Sequence, residues 1–229
     1  MSARFGSRCP ICLEDWDVNI PQGETTFCCC QRVCDSCADK IAGKSCPLCH
    51  MPAPKTRQEH VARLRRHVEN DVPEAVNVMG CGYRFGVNGF PQNHKKAAKI
   101  FKRGVELLGS AEAAMNLARM YQEGEGVKRD SARAYQLYGI AADGGLAHGQ
   151  LMYSYWSGLS DDEAFGYVSR AAAAGLTLAE GRLAAFYFAG KGVETDYDEA
   201  RRWFAVAAAK GNEAAKRSLA DMDAGISPF

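Results

Sequence analysis

The 229-residue chain has room for one ordinary domain, or for a small module joined to a larger one. Its 28 Lys and Arg balance 27 Asp and Glu, and the balance holds in both parts: ten against nine over residues 1–72, eighteen of each over residues 73–229. No basic excess exists to displace counterions from a duplex, so nucleic acid is not the expected partner, and no apolar run approaches a membrane span.

Residues 1–8 form a short tail, Met-Ser-Ala-Arg-Phe-Gly-Ser-Arg, without the apolar run of a signal peptide. The expectation is a soluble intracellular protein, cytoplasmic or nuclear, in a reducing compartment where thiolates persist. Residues 9–49 then hold nine of the ten cysteines. Cys9 and Cys12 frame Pro-Ile, Cys34 and Cys37 frame Asp-Ser, and Cys46 and Cys49 frame Pro-Leu. A triplet, Cys28-Cys29-Cys30, lies between the first and second pairs.

A Cys-x-x-Cys turn holds two thiolates at the separation that tetrahedral Zn²⁺ requires. Three pairs and two members of the triplet make eight ligands, enough to close two structural zinc sites. Disulfides would give the same cysteine density in a small secreted domain. The lack of a signal-like apolar run in residues 1–8 and the 148 cysteine-free residues after Cys81 favour metal. Burial points the same way. Ile11, Leu13, Trp16, Val18, Ile20, Phe27, Val33, Ile41 and Leu48 are the segment's large apolar residues. They are too few to offset the ordering entropy of residues 9–49 without metal.

This cysteine pattern resembles a RING finger over residues 9–49. In that family the pairs interleave, which implies one zinc on Cys9, Cys12, Cys34 and Cys37. The second would lie on Cys46, Cys49 and two of the triplet. Cys30 would stand for the family's usual histidine, with Cys28 as its partner. Cys28 with Cys29 is the alternative, leaving Cys30 free. The family docks a ubiquitin-conjugating enzyme, and Ile11 and Pro47 match its apolar docking positions, with Leu48 beside them. His50 stands where active ligases often carry arginine.

Two functions follow. One is a RING-type ubiquitin-protein ligase that transfers ubiquitin without a covalent intermediate of its own. The other is a non-catalytic adaptor that uses both modules as scaffolds.

Residues 50–72 read as a linker. Pro52 and Pro54 end the cysteine module, and Thr56-Arg-Gln-Glu59 has the form of a capping box opening a helix. One face of that helix carries Val61, Leu64 and Val68; the other carries Arg57, Arg63, Arg65 and Arg66, offset by Glu59 and Glu69. A solvated connecting face and a phosphate- or acid-binding patch both fit such a distribution. Pro73 closes this helix or opens the next at its first turn.

A repeat governs residues 73–223. First helices read Ala75-Met79-Tyr83-Gly86, Ala113-Leu117-Tyr121-Gly124, Ala147-Leu151-Tyr155-Gly158 and Ala179-Leu183-Tyr187-Gly190. Steps of four and three keep these residues on one stripe, where the tyrosines are expected in the core. Second helices begin near Ala97, Ala134, Ala164 and Ala200; Phe101, Tyr138, Val168 and Phe204 follow four on, and Gly104, Ala141, Ala171 and Ala207 seven on. Glycines at 109, 145, 175 and 211 suit helix ends. Gly124-Glu-Gly126-Val127 and Gly190-Lys-Gly192-Val193 repeat as turns between helices, and the third unit reads as lacking four loop residues. Residues 212–223 form a capping helix with Asp223 at the tyrosine position, facing outward, before a tail at 224–229.

The pattern is similar to the Sel-like branch of the tetratricopeptide superfamily. That resemblance implies paired antiparallel helices in a solenoid and a surface that recruits a protein target. The expected fold is mainly α: a small zinc-stabilised RING-like module followed by an α-helical repeat solenoid. No catalytic residue is expected in the repeats. The five histidines form no recognisable motif, and Cys81 reads as a small buried hydrophobe.

Overall fold

The computed structural model describes residues 24–25, 32–33 and 55–225. It divides into two compact units at Asp130 and Ser131.

In the first unit, β1 (Glu24–Thr25) pairs antiparallel with β2 (Arg32–Val33). Four helices follow: α1 (Arg57–Glu69), α2 (Pro73–Phe85), α3 (His94–Leu108) and α4 (Ala111–Glu123). At the start of α1 the Thr56 hydroxyl accepts the Glu59 N–H at 3.1 Å. The expected reciprocal bond is displaced by one residue: the Glu59 carboxylate accepts the Lys55 N–H at 2.9 Å. That hydrogen bond, with one from Arg63, holds the Glu59 carboxyl below its usual range. Leu64 and Val68 are buried and Val61 is half-buried, as the stripe predicts. Pro73 occupies the first turn of α2, where its missing N–H costs no hydrogen bond. Helices α2 and α3 close over Phe101, which is fully buried with Ala97. Gly104 lets α3 approach its neighbours: a Cβ there would stand 2.8 Å from the Ala113 Cβ and 2.9 Å from Val76.

The second unit contains α5 (Ser131–Asp143), α6 (Ala147–Tyr153), α7 (Asp161–Ala173), α8 (Thr177–Ala189), α9 (Tyr197–Ala209) and α10 (Glu213–Asp223). Ser160 and Glu163 make the full capping box of α7. Its core joins Leu151, Val168, Ala171, Ala179, Leu183 and Phe186. A second cluster joins Ala184, Phe204, Ala207 and Ala215, closing α10 onto α9. Asp223 is exposed and ion-paired with Arg201, as expected of a cap.

In both units the second-helix alanines Ala97, Ala134, Ala164 and Ala200 are buried, and so are Phe101, Tyr138, Val168 and Phe204 four residues on. Gly109, Gly145, Gly175 and Gly211 all have positive φ. The third repeat corrects the sequence expectation. Its first helix is α6, only seven residues long against thirteen for α8. Seven residues still connect α6 to α7, as seven connect α8 to α9. The deletion is therefore in the helix, not in the loop. The register also moves by two residues. Gly149 takes the position that Ala179 holds in α8, the third residue of its helix, and a Cβ on it would stand 2.8 Å from the Ala141 backbone. Tyr155 consequently lies beyond the helix and is 48% exposed.

The Gly-x-Gly loops explain themselves by contact. Gly192, at φ 63°, lies on the start of α7, and a Cβ there would sit 2.3 Å from the Asp161 carbonyl oxygen. Gly126, at φ 68°, makes the corresponding approach to His94 in the first unit, at 2.4 Å. Gly192→Ala should cost about 2–3 kcal/mol, combining left-handed strain with a backbone clash. Gly211→Ala, at φ 88° in open space, should cost only the strain. Urea unfolding of the two variants measures the difference; equal losses would remove the contact as a cause.

Candidate functional site

The cysteine ligand set expected from the sequence, Cys9, Cys12, Cys28, Cys30, Cys34, Cys37, Cys46 and Cys49, lies outside the described residues. So do Cys29 and the docking positions Ile11, Pro47, Leu48 and His50. What is described there is the strand pair, with Thr25 opposite Arg32 and Glu24 opposite Val33. The six residues between the strands, which include the triplet, are outside the described set.

The repeats present a built surface in the second unit. Arg182, on α8, lays its guanidinium 3.6 Å from the centre of the Tyr155 ring and 5.2 Å from that of Phe186. One terminal nitrogen donates to the Ser154 carbonyl at 3.2 Å, while the buried Nε has no partner. Ser154 itself donates to the Leu151 carbonyl at 2.7 Å, closing the end of α6. Early termination of α6 is what places Tyr155 over Arg182. Trp156, 36% exposed, packs on Tyr153 with ring centres 5.6 Å apart, and Leu178 is 62% exposed one turn before Arg182. A cation pinned by aromatic faces beside exposed apolar groups has the composition of an interface anchor. The sequence concealed it, because Tyr155 fitted the core stripe in the wrong phase. Of the other stripe tyrosines, Tyr83 is buried against Phe90, and Tyr121 and Tyr187 are half-buried.

In the first unit the polar contacts join successive repeats. Asn116 of α4 donates to Asn77 of α2 at 2.9 Å. Buried Arg84 reaches Glu123 at 2.8 Å and Glu125 at 2.6 Å. Burial pushes the Glu125 carboxyl up, but the Arg84 hydrogen bond and charge outweigh it and hold the group below its usual range.

Candidates for chemistry are few. Among the described residues no three His, Cys, Asp or Glu side chains form a metal-binding group. His148 is exposed on α6. Cys81 is half-buried, and burial pushes its thiol up, away from the reactive thiolate. No described helix is long and apolar enough to cross a membrane.

Comparison with known proteins places the repeats. The Sel1 repeat model matches residues 73–107, 111–146, 147–176 and 177–212. No curated protein matches the chain. A Sel1 repeat protein from Oxalobacter formigenes is similar in structure at TM-score 0.68 and 28% identity, over 75% of this chain and 69% of that one. The protective antigen c5321 of uropathogenic Escherichia coli strains, which displays an SLR fold, is similar at TM-score 0.66 and 25% identity, over 79% of this chain. This chain spans 40% of that antigen. The four matched segments open at residues 73, 111, 147 and 177, the first residues of α2, α4, α6 and α8. With matches that together cover more than half of its length, the chain belongs to the Sel1 repeat family.

Proposed function

We propose that the protein is a RING-type ubiquitin-protein ligase in which the Sel1 repeats are the protein-interaction scaffold that recruits the target. The observation that carries this is the coupling, in one chain, of eight cysteines in metal-ligand spacing with a Sel1 repeat array. Thiolates in four pairs suit two closed tetrahedral zinc sites, which act structurally and leave no open position for chemistry. The metal supplies a fold; Ile11, Pro47 and Leu48 then form the apolar surface for a conjugating enzyme. Such a ligase accelerates transfer by holding the donor thioester and the target lysine together, which is catalysis by proximity and orientation.

A non-catalytic adaptor is the second reading, and His50 favours it. Arginine at that position offers a planar fork of five donors with a permanent charge. Histidine is shorter and mostly neutral at neutral pH. Ubiquitin discharge from a panel of conjugating enzymes separates the two functions. For a ligase, His50→Arg should raise discharge by up to roughly tenfold, equivalent to ~1.4 kcal/mol of transition-state stabilisation. Ile11→Ala should abolish discharge without changing zinc content. Silence of both wild type and His50→Arg with every conjugating enzyme, in protein with intact zinc and helicity, would establish the adaptor.

A further inference from the structure

Helix α1 lies ahead of the first matched repeat, and nothing in the ligase proposal uses its basic face. Its arginines are not equivalent. Arg63 is spent on Glu59, at 2.5 Å. Arg57 and Arg65 are exposed and make no ion pair among the described residues, yet both line a cleft of about 450 Å³ with Gln58, Val61, Ala62 and Gly89. The opposite wall is the loop between α2 and α3. It approaches because residue 89 is glycine at φ 85°: a Cβ there would stand 2.6 Å from Arg57 Cγ and 3.1 Å from Val61 Cγ2. The loop thus braces the aliphatic stem of Arg57 and leaves the Val61 side chain as the apolar floor.

We propose that this cleft binds an extended acidic peptide segment of a partner protein, with two carboxylate side chains flanking an apolar one. The spacing comes from helix and strand geometry. The structure corrects the expected placing of Arg57 and Arg65 on the face opposite Val61: at steps of four they share its stripe on α1 and line the same cleft, separated by about 12 Å along the axis. An extended peptide advances about 3.3 Å per residue and points every second side chain to the same side. Residues i, i+2 and i+4 of such a peptide therefore span about 13 Å and face the cleft together. Acid, apolar, acid at those positions meets Arg57, Val61 and Arg65 in order. Charge complementarity selects the acids, since among the described residues the cleft carries two cations without an ion pair and no carboxylate on its lining.

The test uses the full chain and a fluorescein-labelled peptide containing Glu-Ala-Leu-Ala-Glu, with binding followed by fluorescence anisotropy. Saturable, salt-sensitive binding is expected. Arg57→Glu combined with Arg65→Glu should weaken it by roughly tenfold or more, the scale of lost interfacial charge pairs. Arg66→Glu, on the same helix but off the cleft, should leave affinity unchanged. The matched Gln-Ala-Leu-Ala-Gln and Glu-Ala-Ser-Ala-Glu peptides should both bind more weakly. Circular dichroism confirms that each variant retains its helices; if the double variant unfolds, Arg65→Gln alone must still weaken binding. Absent binding, equal binding of the glutamine peptide, or unchanged affinity in a folded cleft variant would overturn the proposal. Preferential binding of a single-stranded oligonucleotide through the same arginines would overturn it too. None of these outcomes depends on ubiquitin transfer.

Discussion

Elemental analysis of the reduced protein is expected to return two zinc ions per chain, and chelation should unfold residues 9–49 while the repeat helices persist. The segment's few large apolar residues cannot stabilise it alone, and a structural zinc site contributes on the order of 10–16 kcal/mol of apparent binding energy, which is folding energy for such a module. The repeats carry their own core, so their helical circular dichroism should survive a chelator that abolishes the tertiary signal of Trp16. Cys29→Ser then resolves the triplet: both ions are retained if Cys28 and Cys30 ligate, and one is lost if Cys29 does. One zinc or none in reduced wild-type protein would reject the two-site arrangement.

The second large effect belongs to the buried cation of α2. Arg84 is 4% exposed, whereas Glu123 and Glu125 are 46% and 30% exposed. The two directions of mutation should therefore differ. Glu123→Gln with Glu125→Gln leaves a buried guanidinium without its charges and should cost about 3 kcal/mol, the lower end for an uncompensated buried ion. Arg84→Met leaves two carboxylates that can turn to water, and should cost about 1 kcal/mol. The pH dependence follows from the depressed Glu125 carboxyl. A group whose folded pKa is lowered contributes stability that is complete above its ordinary value, near ~4.3, and is lost as pH falls through the folded value. The gap between wild type and the double glutamine variant should thus be full at neutral pH and narrow in acid. Urea unfolding at both pH values tests this. A gap that persists in strong acid would assign the cost to packing rather than to charge.

Periodicity and backbone chemistry made most of the repeat fold legible. The buried series from Ala97 to Ala200 and the glycines at 109, 145, 175 and 211 obey rules operating within one helix or turn, so their local sequence determines them. The capping role of Thr56 and the outward Asp223 are local in the same sense. The basic helix of Arg57 to Arg66 was legible too, whereas the zinc donor set expected from cysteine spacing lies outside the described residues and stands as a proposal.

Tertiary packing decided what local rules left degenerate. Ala147-Leu151-Tyr155 and the phase beginning at Gly149 both satisfy a four-residue step. Only the close approach of Gly149 to the Ala141 backbone, together with the end of α6 at Tyr153, selects the second. That choice ejects Tyr155 from the core and creates its stack on Arg182, a contact across 27 residues. Arg84 and its partners are likewise 39 and 41 residues apart. Which arginines of α1 have no ion pair among the described residues depends on Glu59 choosing Arg63 and on where a distant glycine lets a loop lie. A helical period assigns side chains to a face. Burial, partner and exposure are set by whichever element arrives opposite, and that is a property of the packed chain.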